Sequence, residues 1–181
     1  MQLFGKLSAT VLMVLSLIAT GADAGQSVRM QQYSYKKKLG PWHLVKQSWE
    51  DGTSGCVASS YHNRTSFPSF SFAAYETDGK VNSTVRFDVK GKAKPDGEAK
   101  VRIHGQDFIF FHPAKYDHGG YFPRTGKQLV QVLKALVQLE NASTPNKSFH
   151  VTVDGGRTYK FDARKTEEVL DYLRNECGFA F

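Results

Sequence analysis

Two runs of strict period-two alternation constrain this chain most. Val85, Phe87 and Val89 alternate with Arg86, Asp88 and Lys90, and Val101 and Ile103 alternate with Lys100, Arg102 and His104. Successive side chains of a strand point to opposite faces, so each run reads as a strand with one apolar and one wet face. Lys92-Ala93-Lys94-Pro95-Asp96-Gly97 is a strong turn between them, which makes the two runs expected hairpin partners. Short strands separated by turn residues recur from Trp42 onward, the signature of an antiparallel sheet or sandwich.

Trp42 to Trp49 is the first such strand, and Asp51 to Gly55 turns it into Cys56 to His62. Ser69 to Thr77 puts Phe70, Phe72 and Ala74 on one face and reaches the next strand through Asp78-Gly79. Asp107 to His112 is apolar on both faces through Phe108, Ile109, Phe110 and Phe111, as a central, covered strand should be. After a loop rich in Gly and aromatic residues, Lys127 to Glu140 carries Leu129, Val132, Leu133 and Leu136 at helical spacing. Phe149 to Val153 and Arg157 to Phe161 form a hairpin across Asp154-Gly155-Gly156. Thr166 to Cys177 is a helix with Glu167 and Glu168 at its positive end and Gly178 as its stop. The expectation is one α+β domain over 41–181, an antiparallel β-sheet or sandwich-like meander with two packed α-helices. Strand, Gly turn, strand and helix occur as Val101 to Leu139 and again as Phe149 to Cys177, an internal echo that a duplication would explain.

The N-terminus reads differently. Lys6 supplies a positive start, Leu7 to Thr20 an apolar stretch, and Ala22-Asp23-Ala24 a small-x-small cleavage pattern. The apolar stretch is about 14 residues, short of the roughly 20 that cross a bilayer as a helix. Residues 1–24 are therefore expected to be a cleaved signal peptide, with no transmembrane segment after cleavage and a periplasmic or secreted product. Residues 25–40, with Tyr33-Ser34-Tyr35-Lys36-Lys37-Lys38, show no apolar period and read as a mobile basic arm. In an exported chain the two cysteines, Cys56 and Cys177, are most simply one disulfide, the alternative being two buried thiols. The formal net charge of +7 favours anionic partners, which outside the cytoplasm are envelope polymers, lipid headgroups or acidic proteins rather than nucleic acid.

The Gly40-Pro41-Trp42 strand start, the Cys56-Val57-Ala58 strand, the strand pair around Val153-Asp154-Gly155 and the last helix ending in Cys177-Gly178, behind a signal peptide, carry a resemblance. The chain resembles a broad group of exported proteobacterial proteins that includes the invasion-associated locus B family, over most of residues 40–178. The resemblance implies a β-rich envelope domain with no catalytic residues to carry over. The chain departs from the group in having one cysteine in the early strand region, where the family has a close pair. Its disulfide must then be the long one.

Three groups of residues are candidates for function. Arg86 and Lys90 on one strand, Lys100 and Arg102 on its expected partner, and Lys92 and Lys94 in the turn form a basic patch for an anionic envelope polymer or a protein partner. His112, Asp117 and His118 put two imidazoles and a carboxylate in one loop, the alternative site of a hydrolase or metalloenzyme. Zinc needs three or four ligands in fixed geometry, and this spacing is irregular and lies on a Gly/Pro loop. His62 beside the Cys56 strand suggests a thiol enzyme only if the cysteines stay reduced. No Gly-x-Ser-x-Gly elbow and no Gly-rich phosphate loop opening a helix occurs. No catalytic residue, metal or cofactor is thus expected, and an inhibitor of a secreted enzyme is a further reading of a small exported domain. Asn63, Asn82, Asn141 and Asn146 head Asn-x-Ser/Thr sequons, which read as loop composition in a bacterial chain.

Overall fold

The computed structural model describes residues 30–180 apart from 50–51, 65–66, 78, 92–93, 95 and 114–118. The expected signal peptide lies outside the described residues. The strands are β1 (Met30–Leu39), β2 (Trp42–Trp49), β3 (Ser54–Tyr61), β4 (Ser69–Thr77), β5 (Lys80–Asp88), β6 (Glu98–Ile103), β7 (Gln106–Phe111), β8 (Gly120–Pro123), β9 (Ser148–Val153) and β10 (Thr158–Asp162). The helices are α1 (Gly126–Asn141) and α2 (Thr166–Cys177). All ten strands join one antiparallel sheet in the order β1-β2-β3-β4-β5-β8-β7-β6-β9-β10. The α+β expectation holds.

Two expectations do not. Met30–Leu39, placed in a mobile basic arm, is an edge strand paired with β2. It lacks an apolar period, and an edge strand needs main-chain pairing more than a buried face. The second correction concerns the two alternating runs, which are not hairpin partners. β5 pairs with β4 and β8, while β6 pairs with β7 and β9. A local turn does not force its flanking strands to pair when each finds a longer ladder elsewhere.

Short β8 makes the corner of the sheet. Its first half, Gly120 and Tyr121, pairs with β5, and its second half, Phe122 and Pro123, pairs with β7. Adjacent strands lie roughly 4.8 Å apart, so β4 and β9, five steps apart, would be separated by about 24 Å in a flat sheet. Instead the rings of Phe70 on β4 and Phe149 on β9 meet edge to face at 4.9 Å between centroids. Phe161 on β10 also contacts Phe70 and Phe87. The sheet therefore folds back on itself like a sandwich, inner face against inner face.

One apolar core fills the fold. Trp42, Phe70, Phe72 and Phe87 enter from one half of the sheet and Val101, Phe110, Phe149 and Phe161 from the other. Leu133 and Leu136 of α1 and Val169 and Leu173 of α2 close it. Thr125 caps α1 by accepting the Gln128 N–H, and the Gln128 side chain returns to the Arg124 N–H at 2.8 Å. α2 ends at Gly178, in the left-handed region at φ 64°, with Gly178 N–H bonded to Arg174 O as in the αL motif and Phe179 N–H bonded to Leu173 O. Cys56 on β3 and Cys177 at the end of α2 form a disulfide with their Cα atoms 6.0 Å apart, tying the helix to the sheet.

The echo is visible in the hairpins that flank the β6/β9 pairing. His104-Gly105 joins β6 to β7 and Asp154-Gly155 begins the turn from β9 to β10, and both dipeptides have positive φ at both residues. That handedness matches strand twist.

Candidate functional site

Alternation along β6 buries Ala99, Val101 and Ile103 and leaves Lys100 and Arg102 in solvent. Strand pairing supplies their neighbours. Arg102 stands opposite Asp107 on β7 and His150 on β9, and His150 stands opposite Lys160 on β10. One row across the outer face thus reads Asp107, Arg102, His150, Lys160. The next row reads Ile109, Lys100, Thr152, Thr158, with the two threonine hydroxyls 2.8 Å apart. Directly opposed residues lie about 5 Å apart, so the three cations and His150 form one patch.

α1 packs on the other side of β6 and β7, where the core is, and among the described residues no helix covers this face. Two carboxylates share this face: Glu98, two residues before Lys100 on β6, and Asp107, 3.3 Å from Arg102 Nε and 3.9 Å from Lys100 Nζ. Ion pairs this exposed are weak, so they leave both cations available to a ligand. Toward β8, Phe111 opposes Phe122, and the Arg124 guanidinium lies over the Phe111 ring at 3.3 Å. The face therefore runs from an aromatic edge to a basic edge.

The residues expected to form the basic patch are divided by the fold. Lys100 and Arg102 belong to this face. Arg86 lies on β5, three strands away from β6, with its Nε 2.9 Å from Asp88. Lys90 and Lys94 are exposed beyond the end of β5 and before β6 respectively, and Lys92 lies outside the described residues. His150 and Lys160 are the members that a local sequence reading missed. Their own strands carried the signal, since Phe149, Val151 and Phe161 point inward and His150 and Lys160 must then point out. What was hidden was the β6/β9 pairing that joins them to Lys100 and Arg102.

Of the three residues of the imidazole cluster, His112 is among the described residues. His112, expected at the end of a covered strand and the start of the imidazole loop, is only 5% exposed; its Nδ1–H donates to Gly120 O at 2.8 Å, and its backbone N–H donates to Gly97 O. Its ring packs beside Tyr121. Asp117 and His118 lie outside the described residues. Among the described residues no group of three or more His, Cys, Asp or Glu side chains is placed to hold a metal ion. His62 Nδ1 meets the Lys160 carbonyl on the β10 edge at 3.1 Å, and Cys56 is bonded to Cys177, so the two do not form a thiol and base pair.

No protein-family model, curated protein or solved structure matches the chain. Among the described residues no helix is long and apolar enough to cross a membrane.

Proposed function

We propose that this chain is an exported, non-enzymatic binding protein that recognises an anionic polymer of the cell envelope through the outer face of β6, β9 and β10. The observation that carries the reading is the row of Arg102, His150 and Lys160 beside Lys100, gathered from three strands onto a surface that no helix among the described residues covers. A cation row at strand spacing suits a polymer with repeated negative charges. The Arg124 and Phe111 stack at its edge adds a flat surface on which a sugar ring can rest. The net charge of +7 acts in the same direction. The long disulfide is compatible with an oxidising compartment, and the N-terminal signal pattern and the resemblance to exported proteobacterial domains agree with export.

The test is binding of the purified domain to a polyuronate and to a polyphosphate over a range of salt. Binding should weaken as salt rises, and the Lys100→Glu/Arg102→Glu/Lys160→Glu variant should bind about tenfold more weakly or worse. Equal binding by the variant would sink the assignment of this face.

A further inference from the structure

A second concavity lies where β10 comes back beside β3. The β1–β2 turn, the end of β3 and the β10–α2 connection enclose a polar cavity of about 310 Å³, with Lys38, His43, Tyr61, Asp162 and Arg164 in its wall. Its two sides are pinned together. Trp42 Nε1–H donates to Arg164 O at 3.0 Å, and Gly40, at φ +56°, lies so close to Lys165 that a Cβ there would meet its Cγ at 3.0 Å.

The wall offers more donors than it uses. Asp162 takes the Nε and Nη2 edge of the Arg164 guanidinium and its backbone N–H, so this carboxylate is engaged on both oxygens. Arg164 Nη1, the Lys38 ammonium, the His43 ring and the Tyr61 hydroxyl make no hydrogen bond among the described residues. Burial and then the Lys38 charge hold the His43 imidazole below its ordinary value.

We propose that this cavity binds one oxyanion group, a carboxylate or a phosphate carried on a molecule the size of a single sugar. Lys38 and Arg164 hold the charge, and His43 and Tyr61 hydrogen-bond the oxygens around it. The volume is at the small end of ligand sites, which suits one unit and not a chain. The inference deepens the envelope-binding reading by giving a terminal anionic unit its own pocket, and it rests on that reading only for the source of the ligand.

The experiment is an NMR titration of the purified domain with D-glucuronate, glucose 1-phosphate and, as the neutral control, glucose. A saturable shift at His43 and Tyr61 is expected with at least one of the two anions, and the one that saturates identifies the source. Lys38→Ala and Arg164→Ala should each weaken binding about tenfold, as loss of a charged hydrogen bond does. Both side chains are exposed, so neither variant touches the core. The Lys100→Glu/Arg102→Glu/Lys160→Glu variant should bind the monomers as before, which separates failure of this pocket from failure of the outer face. No saturable shift with either anion, equal binding of glucose, or unchanged affinity in both alanine variants would overturn the pocket.

Discussion

The Glu140 carboxylate, in the last turn of α1, accepts the Glu167 backbone N–H at the start of α2 at 2.8 Å, and its other oxygen accepts the Lys165 N–H. The cap position of α2 is Lys165, in the left-handed region and without a side-chain cap of its own. The first N–H groups of a helix have no partner within it, and a carboxylate there also meets the positive end of the dipole. One helix therefore supplies the cap that the other lacks. Glu140→Ala should cost about 1 kcal/mol in chemical denaturation, and hydrogen exchange should quicken first in residues 165–168. Exchange unchanged there would contradict the cap.

Phe149 joins the two halves of the folded sheet through Phe70, with Phe161 stacked beside it from the paired position on β10. Phe149→Ala should destabilise the domain by about 3 to 5 kcal/mol, and Phe149→Leu, which keeps most of the volume, by far less. A loss under about 1 kcal/mol for the alanine variant, measured by urea unfolding, would mean that the halves do not share a core.

The disulfide closes a separation of 121 residues. On the chain-entropy account, replacing Cys56 and Cys177 by alanine should remove up to about 5 kcal/mol. In unfolding conditions the native chain should take up an alkylating reagent at both thiols only after reduction. Alkylation without reduction would show free cysteines.

Burial first, then the Asp154 carboxylate and Tyr159, push the Tyr121 phenol up to about 12. An unfolded tyrosine titrates at about 10. Below that value both states keep the proton and stability does not change with pH through this group. Between about 10 and about 12 the unfolded chain releases it first, so the unfolded state binds fewer protons and stability falls as pH rises. The difference in absorbance at 295 nm between the native chain and Tyr121→Phe should titrate near the upper value. A midpoint near the unfolded value would contradict burial of this ring.

What the sequence revealed followed local physics. Val101 and Ile103 against Lys100 and Arg102 gave the faces of β6, and Leu129, Val132, Leu133 and Leu136 gave α1 to within a residue. Two strands were missed for opposite reasons. β1 has no apolar alternation because it sits at an edge, and β8 is four residues inside a segment that reads as loop. Strand order was the larger gap. Nothing local in Lys100 or Arg102 says that their neighbours come from residues 148–162 rather than from β5. Partner choice depends on pairing across the whole chain, and half of the basic face followed from it. The Glu140 cap was hidden in the same way, since its acceptor and donors are 25 and 27 residues apart.

The most direct measurement is amide shift mapping of the labelled domain during titration with a short polyuronate oligomer. Shifts centred on Lys100, Arg102, His150 and Lys160, diminishing with salt, are the predicted result. Shifts centred on Arg86 and Lys94, or spread over the surface without a focus, would contradict the assignment of the outer face of β6, β9 and β10.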